Sequence, residues 1–281
     1  MRGRIEQGSK TARECEIVNA GVPGAGAVRR IVAALRIARF VVTVLVGIAM
    51  LLVPQLLWLA ATRGRPSPIA RLFHRMLCAA LGIRRDVVGR LSAVGAAPLV
   101  VANHMSWTDI LVLGATIDAT FVAKSDVRGW PLLGWLAALN PTLFVARGAR
   151  GAARDQIAQL AAALRRGPVV LFPEGTTSNG RRVLPFRSTL FAAAGGAVQP
   201  VTLCYSPGPP RAWEPGELEA VAWDGDKEFL PHFLMMIARG RLRCRIVLHP
   251  PEPADGDRKR LADRCRTVIA ATLDHHLGQQ S

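Results

Sequence analysis

Between Phe40 and Ala61 the chain runs for 22 residues without a charged side chain. A helix of that length reaches about 33 Å, enough to cross the hydrocarbon of a bilayer. Any fold for this chain must give those residues either lipid or a large core. Arginines bracket the run, with Arg29, Arg30, Arg36 and Arg39 before it and Arg63, Arg65, Arg71 and Arg75 after it. That symmetry leaves the positive-inside rule nothing to choose between. Pro54 predicts a bend in the helix. Residues 67–82 then carry Ile69, Leu72, Phe73, Met76, Leu77 and Leu81 on one helical side, with Arg71 and Arg75 off it. The preferred reading is a membrane-associated helical pair over 27–83. It enters and leaves one leaflet with its arginines at phosphate level, rather than spanning once. Residues 1–26, polar and then rich in Gly and Ala, read as a flexible leader. No short apolar core with a cleavage site occurs there, so a removable signal peptide is not expected.

From residue 84 the pattern changes to strands alternating with helices. Strands are predicted at 86–91, 98–103, 119–123, 142–146, 168–172, 198–204 and 243–249, with a weaker one at 218–223. Helices are predicted at 107–115, 131–138, 151–166, 187–195, 227–239 and 257–276. The 151–166 segment illustrates the reasoning: Ile157, Leu160, Ala161 and Leu164 recur at helical spacing, and Gly167 follows a pair of arginines. Such alternation predicts an α/β fold over 84–281, with a mostly parallel central sheet flanked by helices. Ligands on such sheets bind where the strands end.

Two strand ends carry chemistry. Pro98-Leu99-Val100-Val101-Ala102 leads into Asn103-His104-Met105-Ser106-Trp107-Thr108-Asp109. A spacing of five does not put His104 and Asp109 on one helical face. It works if the chain turns after the strand and Asp109 sits in the first turn of the next helix. The carboxylate can then accept from one imidazole nitrogen and leave the other to take a proton. That is a base and its orienting acid without a serine, so the nucleophile would be the substrate's own hydroxyl. The second strand, Val169-Val170-Leu171-Phe172, ends in Pro173-Glu174-Gly175-Thr176. Gly175 permits close backbone approach, and exposed amides there could hold a headgroup or a developing oxyanion.

The net charge of +16 implies an anionic partner. With no zinc-finger spacing, no aromatic RNA-binding run and a long apolar segment, lipid headgroups fit better than nucleic acid. The five cysteines are scattered and none form C-x-x-C, which gives no metal site. No phosphate-binding glycine loop and no G-x-S-x-G elbow occurs in context, so neither nucleotide chemistry nor a covalent acyl-enzyme is expected.

Both motifs together resemble the glycerolipid acyltransferases, the 1-acylglycerol-3-phosphate (lysophospholipid) acyltransferase family. Its first block, N-H-x-x-x-x-D, is matched by Asn103, His104 and Asp109, and its third, F-P-E-G-T, by Phe172 to Thr176. Thr142-Leu143-Phe144-Val145-Ala146-Arg147 looks like the second block, and Gln199-Pro200-Val201-Thr202-Leu203 like the fourth. The four blocks fall in order over about 98–204. The resemblance implies fatty acyl transfer from an acyl thioester to a lysolipid hydroxyl, with no cofactor and with acyl-coenzyme A or acyl carrier protein as co-substrate. His104 would be the general base and Asp109 its orienting partner. Arg147 would meet the acceptor's anionic headgroup, Glu174, Gly175 and Thr176 would place the acceptor, and Lys124 would be a further anion contact. The implied location is the membrane, with the catalytic domain on the cytoplasmic side. The first expectation for the acceptor is 1-acylglycerol-3-phosphate, in phospholipid biosynthesis.

One departure bears on that acceptor. Members acting on a phosphate acceptor often place arginine directly after F-P-E-G-T, where this chain has Thr177. Its Ser178-Asn179-Gly180, Ala222-Trp223-Asp224-Gly225-Asp226 and Leu230-Pro231-His232 look more like the branch that acylates lyso-ornithine lipids. Lyso-ornithine lipid is therefore the alternative acceptor. A thioesterase, in which the same pair activates water, is the alternative of another class.

Overall fold

The computed structural model describes residues 25–92, 98–125, 141–145, 152–208 and 211–279. Nearly all of the 1–26 leader and the helix expected at 131–138 lie outside the described residues. Helix α1 (Ala25–Thr62) is long and apolar enough to cross a membrane by length and composition. It starts well ahead of the uncharged run and continues through Pro54. Helix α2 (Pro68–Leu81) turns back along it. The Ser67 hydroxyl accepts the Ile69 and Ala70 amides at 3.1 and 3.4 Å, Pro68 opens the helix, and Gly82 at φ 74° ends it.

The two helices are antiparallel and close. Arg39 donates to the Ala80 carbonyl at 2.8 Å, Gln55 accepts the Ser67 hydroxyl at 2.6 Å, and Gly47 lies between them against Phe73. A Cβ at Gly47 would sit 2.6 Å from the Phe73 ring, so only glycine allows this approach. Four of the flanking arginines bond within the protein. Arg36 donates to the Ala238 and Arg239 carbonyls, Arg71 pairs with Asp118 at 3.2 Å, and Arg75 reaches the Ala115 carbonyl at 3.1 Å. Carbonyls at helix ends lack intrahelical donors, and a guanidinium satisfies them. Arg36, Arg71 and Arg75 fasten the helical pair to the rest of the protein, and Arg39 ties its two helices together. The outer side of α1, including Val42, Leu45, Met50, Val53 and Leu57, remains exposed.

The strands are β1 (Ile83–Val88), β2 (Leu99–Ala102), β3 (Thr120–Lys124), β4 (Thr142–Val145), β5 (Val169–Leu171), β6 (Ala197–Ser206), β7 (Leu242–Leu248) and β8 (Glu252–Pro253). They form one sheet in the order β1-β7-β6-β2-β5-β3-β4, with β8 beside β6. Strands β6, β2, β5, β3 and β4 are mutually parallel, whereas β7 and β8 run antiparallel to β6 and β1 is parallel to β7. The helices are α3 (Thr108–Gly114), α4 (Ala152–Leu164), α5 (Glu217–Val221), α6 (Phe229–Arg239) and α7 (Arg258–Gly278).

Two expectations needed correction. Residues 218–223 form no strand; α5 occupies most of them, because Glu, Leu and Ala favour helix and Leu218 and Val221 reach the core at i, i+3. The helix expected at 187–195 is a 3₁₀ segment, Ser188–Ala193.

All four residues of β2 are buried, as befits a central parallel strand covered on both faces. Its side chains alternate between two cores. Val100 and Ala102 join Leu77, Val112 and Ile246 on one face, while Leu99 and Val101 join Leu160, Phe191 and Ile269 on the other. The first core also contains Phe40 of α1 and Cys78 and Leu81 of α2. The helical pair thus shares its buried interior with the sheet.

Candidate active site

Because β2, β5 and β6 are parallel neighbours, the loops leaving them open on the same edge of the sheet. Asn103 fixes the first loop. Its side-chain amide donates to the Leu203 carbonyl at 3.0 Å, and its oxygen accepts the Leu203 amide at 2.8 Å. The chain then turns, and Asp109 falls in the first turn of α3. Its Oδ2 accepts the Met105 and Ser106 amides at 2.8 and 2.9 Å and lies 2.7 Å from His104 Nδ1. Asp109 is fully buried, at 0% exposed, while the His104 side chain is 17% exposed. A carboxylate can only accept, so Nδ1 carries the shared proton and Nε2 is the nitrogen that can receive one from outside.

The β5 loop closes over this unit. Gly175 adopts φ 71°, a left-handed conformation that costs a side-chain-bearing residue energy, and its amide returns to the Phe172 carbonyl at 3.1 Å. The turn brings the Phe172 ring against the imidazole, centroids 4.0 Å apart and planes 16° from parallel. Glu174 points inward and is 3% exposed. Its Oε1 accepts the His104 amide at 2.8 Å and its Oε2 the Leu184 amide at 2.9 Å. Burial pushes this carboxyl up to about 7, against the pull of those two amides. The Ser178 amide donates to the His104 carbonyl at 2.8 Å. Arg266 of α7 holds the far side of the same strap through the Val183 and Leu184 carbonyls at 3.0 and 3.1 Å.

Of the residues singled out from sequence, His104, Asp109, Glu174 and Gly175 come together here. Thr176 is exposed beside them. Lys124 closes β3, its backbone in register with Val145 at the end of β4, on the same edge of the sheet. Arg147 lies outside the described residues. The carboxylate of Glu174 bonds to backbone on both oxygens, a position from which it shapes the loop.

Sequence reasoning missed Phe172 as a ring partner and missed Tyr205 altogether. Tyr205, near the end of β6, is 2% exposed, and its hydroxyl donates to Asp109 Oδ1 at 2.7 Å. A signal was available: it is the only tyrosine in the chain and falls near the end of a strand parallel to β2.

An imidazole pinned at Nδ1 thus stands at the strand ends of a mostly parallel sheet that shares its core with the apolar helical pair. Residues 85–204 match the family described as Acyltransferase. A lyso-ornithine lipid O-acyltransferase of Brucella abortus is 37% identical over 84% of this chain and 94% of its own length. A 1-acyl-sn-glycerol-3-phosphate acyltransferase of Neisseria gonorrhoeae is 38% identical, but over 38% of this chain and 44% of its own. The crystal structure of PlsC, the 1-acyl-sn-glycerophosphate acyltransferase from Thermotoga maritima, superposes with a TM-score of 0.60, covering 88% of this chain and 97% of that one at 21% identity. The chain belongs to the acyltransferase family, and it is an enzyme that transfers an acyl group to the hydroxyl of a lysolipid.

Proposed function

We propose that the protein acylates a lyso-ornithine lipid, using acyl-coenzyme A or acyl carrier protein as donor, with His104 as general base. The observation supporting this acceptor is the length of the match. The lyso-ornithine enzyme is alike over nearly all of its chain, the lysophosphatidate enzyme over less than half. Thr177, directly after the F-P-E-G-T block, agrees with it, since the lack of a bidentate guanidinium there weakens selection for a phosphate headgroup. This acceptor displaces 1-acylglycerol-3-phosphate, the first expectation from the motifs.

In the proposed reaction the acceptor hydroxyl gives its proton to His104 Nε2 as its oxygen attacks the thioester carbonyl. Asp109, 2.7 Å from Nδ1, stabilises the imidazolium. The tetrahedral intermediate collapses by breaking the carbon–sulfur bond, and the imidazolium returns the proton to the departing thiolate. Thr176, exposed on the same turn, is a candidate donor to the oxyanion, and Lys124 and Arg147 are candidate headgroup contacts. Residues 84–281 would form the catalytic unit on the cytoplasmic side, with 27–83 as the membrane pair.

The test is one radiolabelled acyl-thioester assay in mixed micelles against lyso-ornithine lipid, lysophosphatidate and no acceptor. Labelled ornithine lipid as the dominant product is expected. Preferred acylation of lysophosphatidate would overturn the acceptor, and equal release of free fatty acid without acceptor would make the protein a thioesterase.

A further inference from the structure

We propose that the Tyr205 hydroxyl is a positioning group for catalysis, fixing Asp109 so that Oδ2 stays aligned on His104 Nδ1 and moderating how strongly that carboxylate holds the imidazolium. The inference rests on the reading of His104 as the proton acceptor. Asp109 is buried, and among the described residues no Lys or Arg forms an ion pair with it. Its charge is met by hydrogen-bond donors instead. Three of them, His104 Nδ1 and the Met105 and Ser106 amides, converge on Oδ2. The other oxygen, Oδ1, accepts from Tyr205 at 2.7 Å. Without that bond, Oδ1 would lose a strong partner in a dry interior, and the carboxylate plane could rotate about its own bond.

Tyr205 is itself placed. Its Oη lies 3.1 Å from Thr108 Oγ1, one residue ahead of Asp109, so a relay from Thr108 through Tyr205 to Asp109 can be drawn with each hydroxyl donating once. The ring comes from β6, which Asn103 locks to the end of β2. A strand a hundred residues downstream therefore sets the geometry of the acid–base pair. Burial holds the phenol well above its ordinary range, so it keeps its proton and remains a donor. The other titratable groups facing the pair are Cys244 of β7, a thiol that burial also keeps protonated, and Glu174 of the β5 loop.

The test compares the wild-type chain with Tyr205→Phe and Thr108→Val. Turnover, KM for the lysolipid, the acid limb of the pH–rate profile, and the downfield proton resonance of the His104–Asp109 bond would be measured for each. The resonance is assigned by its loss in His104→Ala. Since burial pushes Glu174 up to about 7 and its titration adds to the profile, limbs are compared only between chains that differ at 205 or 108. Tyr205→Phe is expected to lower kcat by about tenfold with KM little changed, the loss of one charge-directed hydrogen bond. Its acid limb should move to higher pH, because a less satisfied carboxylate holds the imidazolium more tightly, and its bridging resonance should shift or vanish. Thr108→Val should do the same to a smaller degree, and it keeps the inference testable if Tyr205→Phe fails to fold. A shifted resonance with an unmoved limb would uphold the role of Tyr205 and remove His104 as base. An unmoved resonance in a folded Tyr205→Phe protein would overturn the inference, whatever its rate.

Discussion

The loop after β2 and the loop after β5 each bury a carboxylate beside the same histidine, Asp109 in one and Glu174 in the other. Both are almost fully removed from water, and both accept backbone amides. They differ in what else they touch. Asp109 faces a ring nitrogen of a side chain that is partly exposed, so a change in its charge or angle acts on the imidazole. Glu174 holds the amides of His104 and Leu184, groups that neither rotate nor titrate. The contrast teaches that burial alone does not assign a carboxylate its role; its partners must be read too. On the proposed roles, the carboxylate that also bonds an ionisable ring acts in the reaction, and the one bonded only to amides holds the loop.

The largest expected effect tests the first half of that contrast. His104→Ala should lower turnover by on the order of 10⁴-fold, the upper end of what a positioned base contributes, while leaving the fold intact. Circular dichroism and steady-state rates of the same preparation check it; a folded variant with near-native turnover would end the base assignment. Asp109→Asn comes next, at roughly 10³-fold, because an amide can present its N–H to Nδ1 and leave the wrong tautomer. If its rate matched that of Glu174→Gln, the contrast would be broken.

Glu174→Gln is expected to act mainly on stability. A Gln side chain keeps one acceptor and turns an NH₂ toward an amide that needs an oxygen, a loss of about 1–3 kcal/mol. It should also change the pH dependence of unfolding. In the folded protein this carboxyl sits at about 7, above its ordinary 4.5, so between those values the folded state binds the proton more tightly than the unfolded one. The contribution is full below 4.5 and is lost as pH rises through about 7, amounting to roughly 3 kcal/mol across the window. Urea unfolding between pH 4.5 and 8 should therefore slope downward in the wild type and be flatter in Glu174→Gln. Equal slopes would place the titrating group elsewhere.

Much of this was readable before any coordinates. The two polar strand ends follow from local patterns, an apolar run broken by charged and glycine residues, and the β2 and β5 predictions land within a residue of the observed strands. The His104–Asp109 spacing also implied the turn that the structure contains. What could not be read depends on distant pairing. Tyr205 meets Asp109 because β6 lies beside β2, a neighbour relation between residues a hundred positions apart. The inward aim of Glu174 depends on Leu184 returning to it, and nothing near Glu174 encodes that return. The intraprotein bonds of the arginines around α1 and α2 could not be read either, because composition gives charge and not direction. Four of them end on carbonyls or a carboxylate of the protein. Residues 218–223 misled because their few large apolar side chains, Leu218, Val221 and Trp223, fit either period.

Phe40 of α1 packs edge-on against Phe233, ring centroids 5.4 Å apart, and Phe233 lies 5.4 Å from Trp107, two residues before Asp109. The apolar helix is thus no leash on which a domain swings; it is a keel, braced by aromatic ribs to the loop that carries the histidine. An α1 bedded in lipid would hold the loop that carries His104 at a set distance from the hydrocarbon. A lipid hydroxyl would then reach the imidazole only from the depth of the leaflet at which that loop stands.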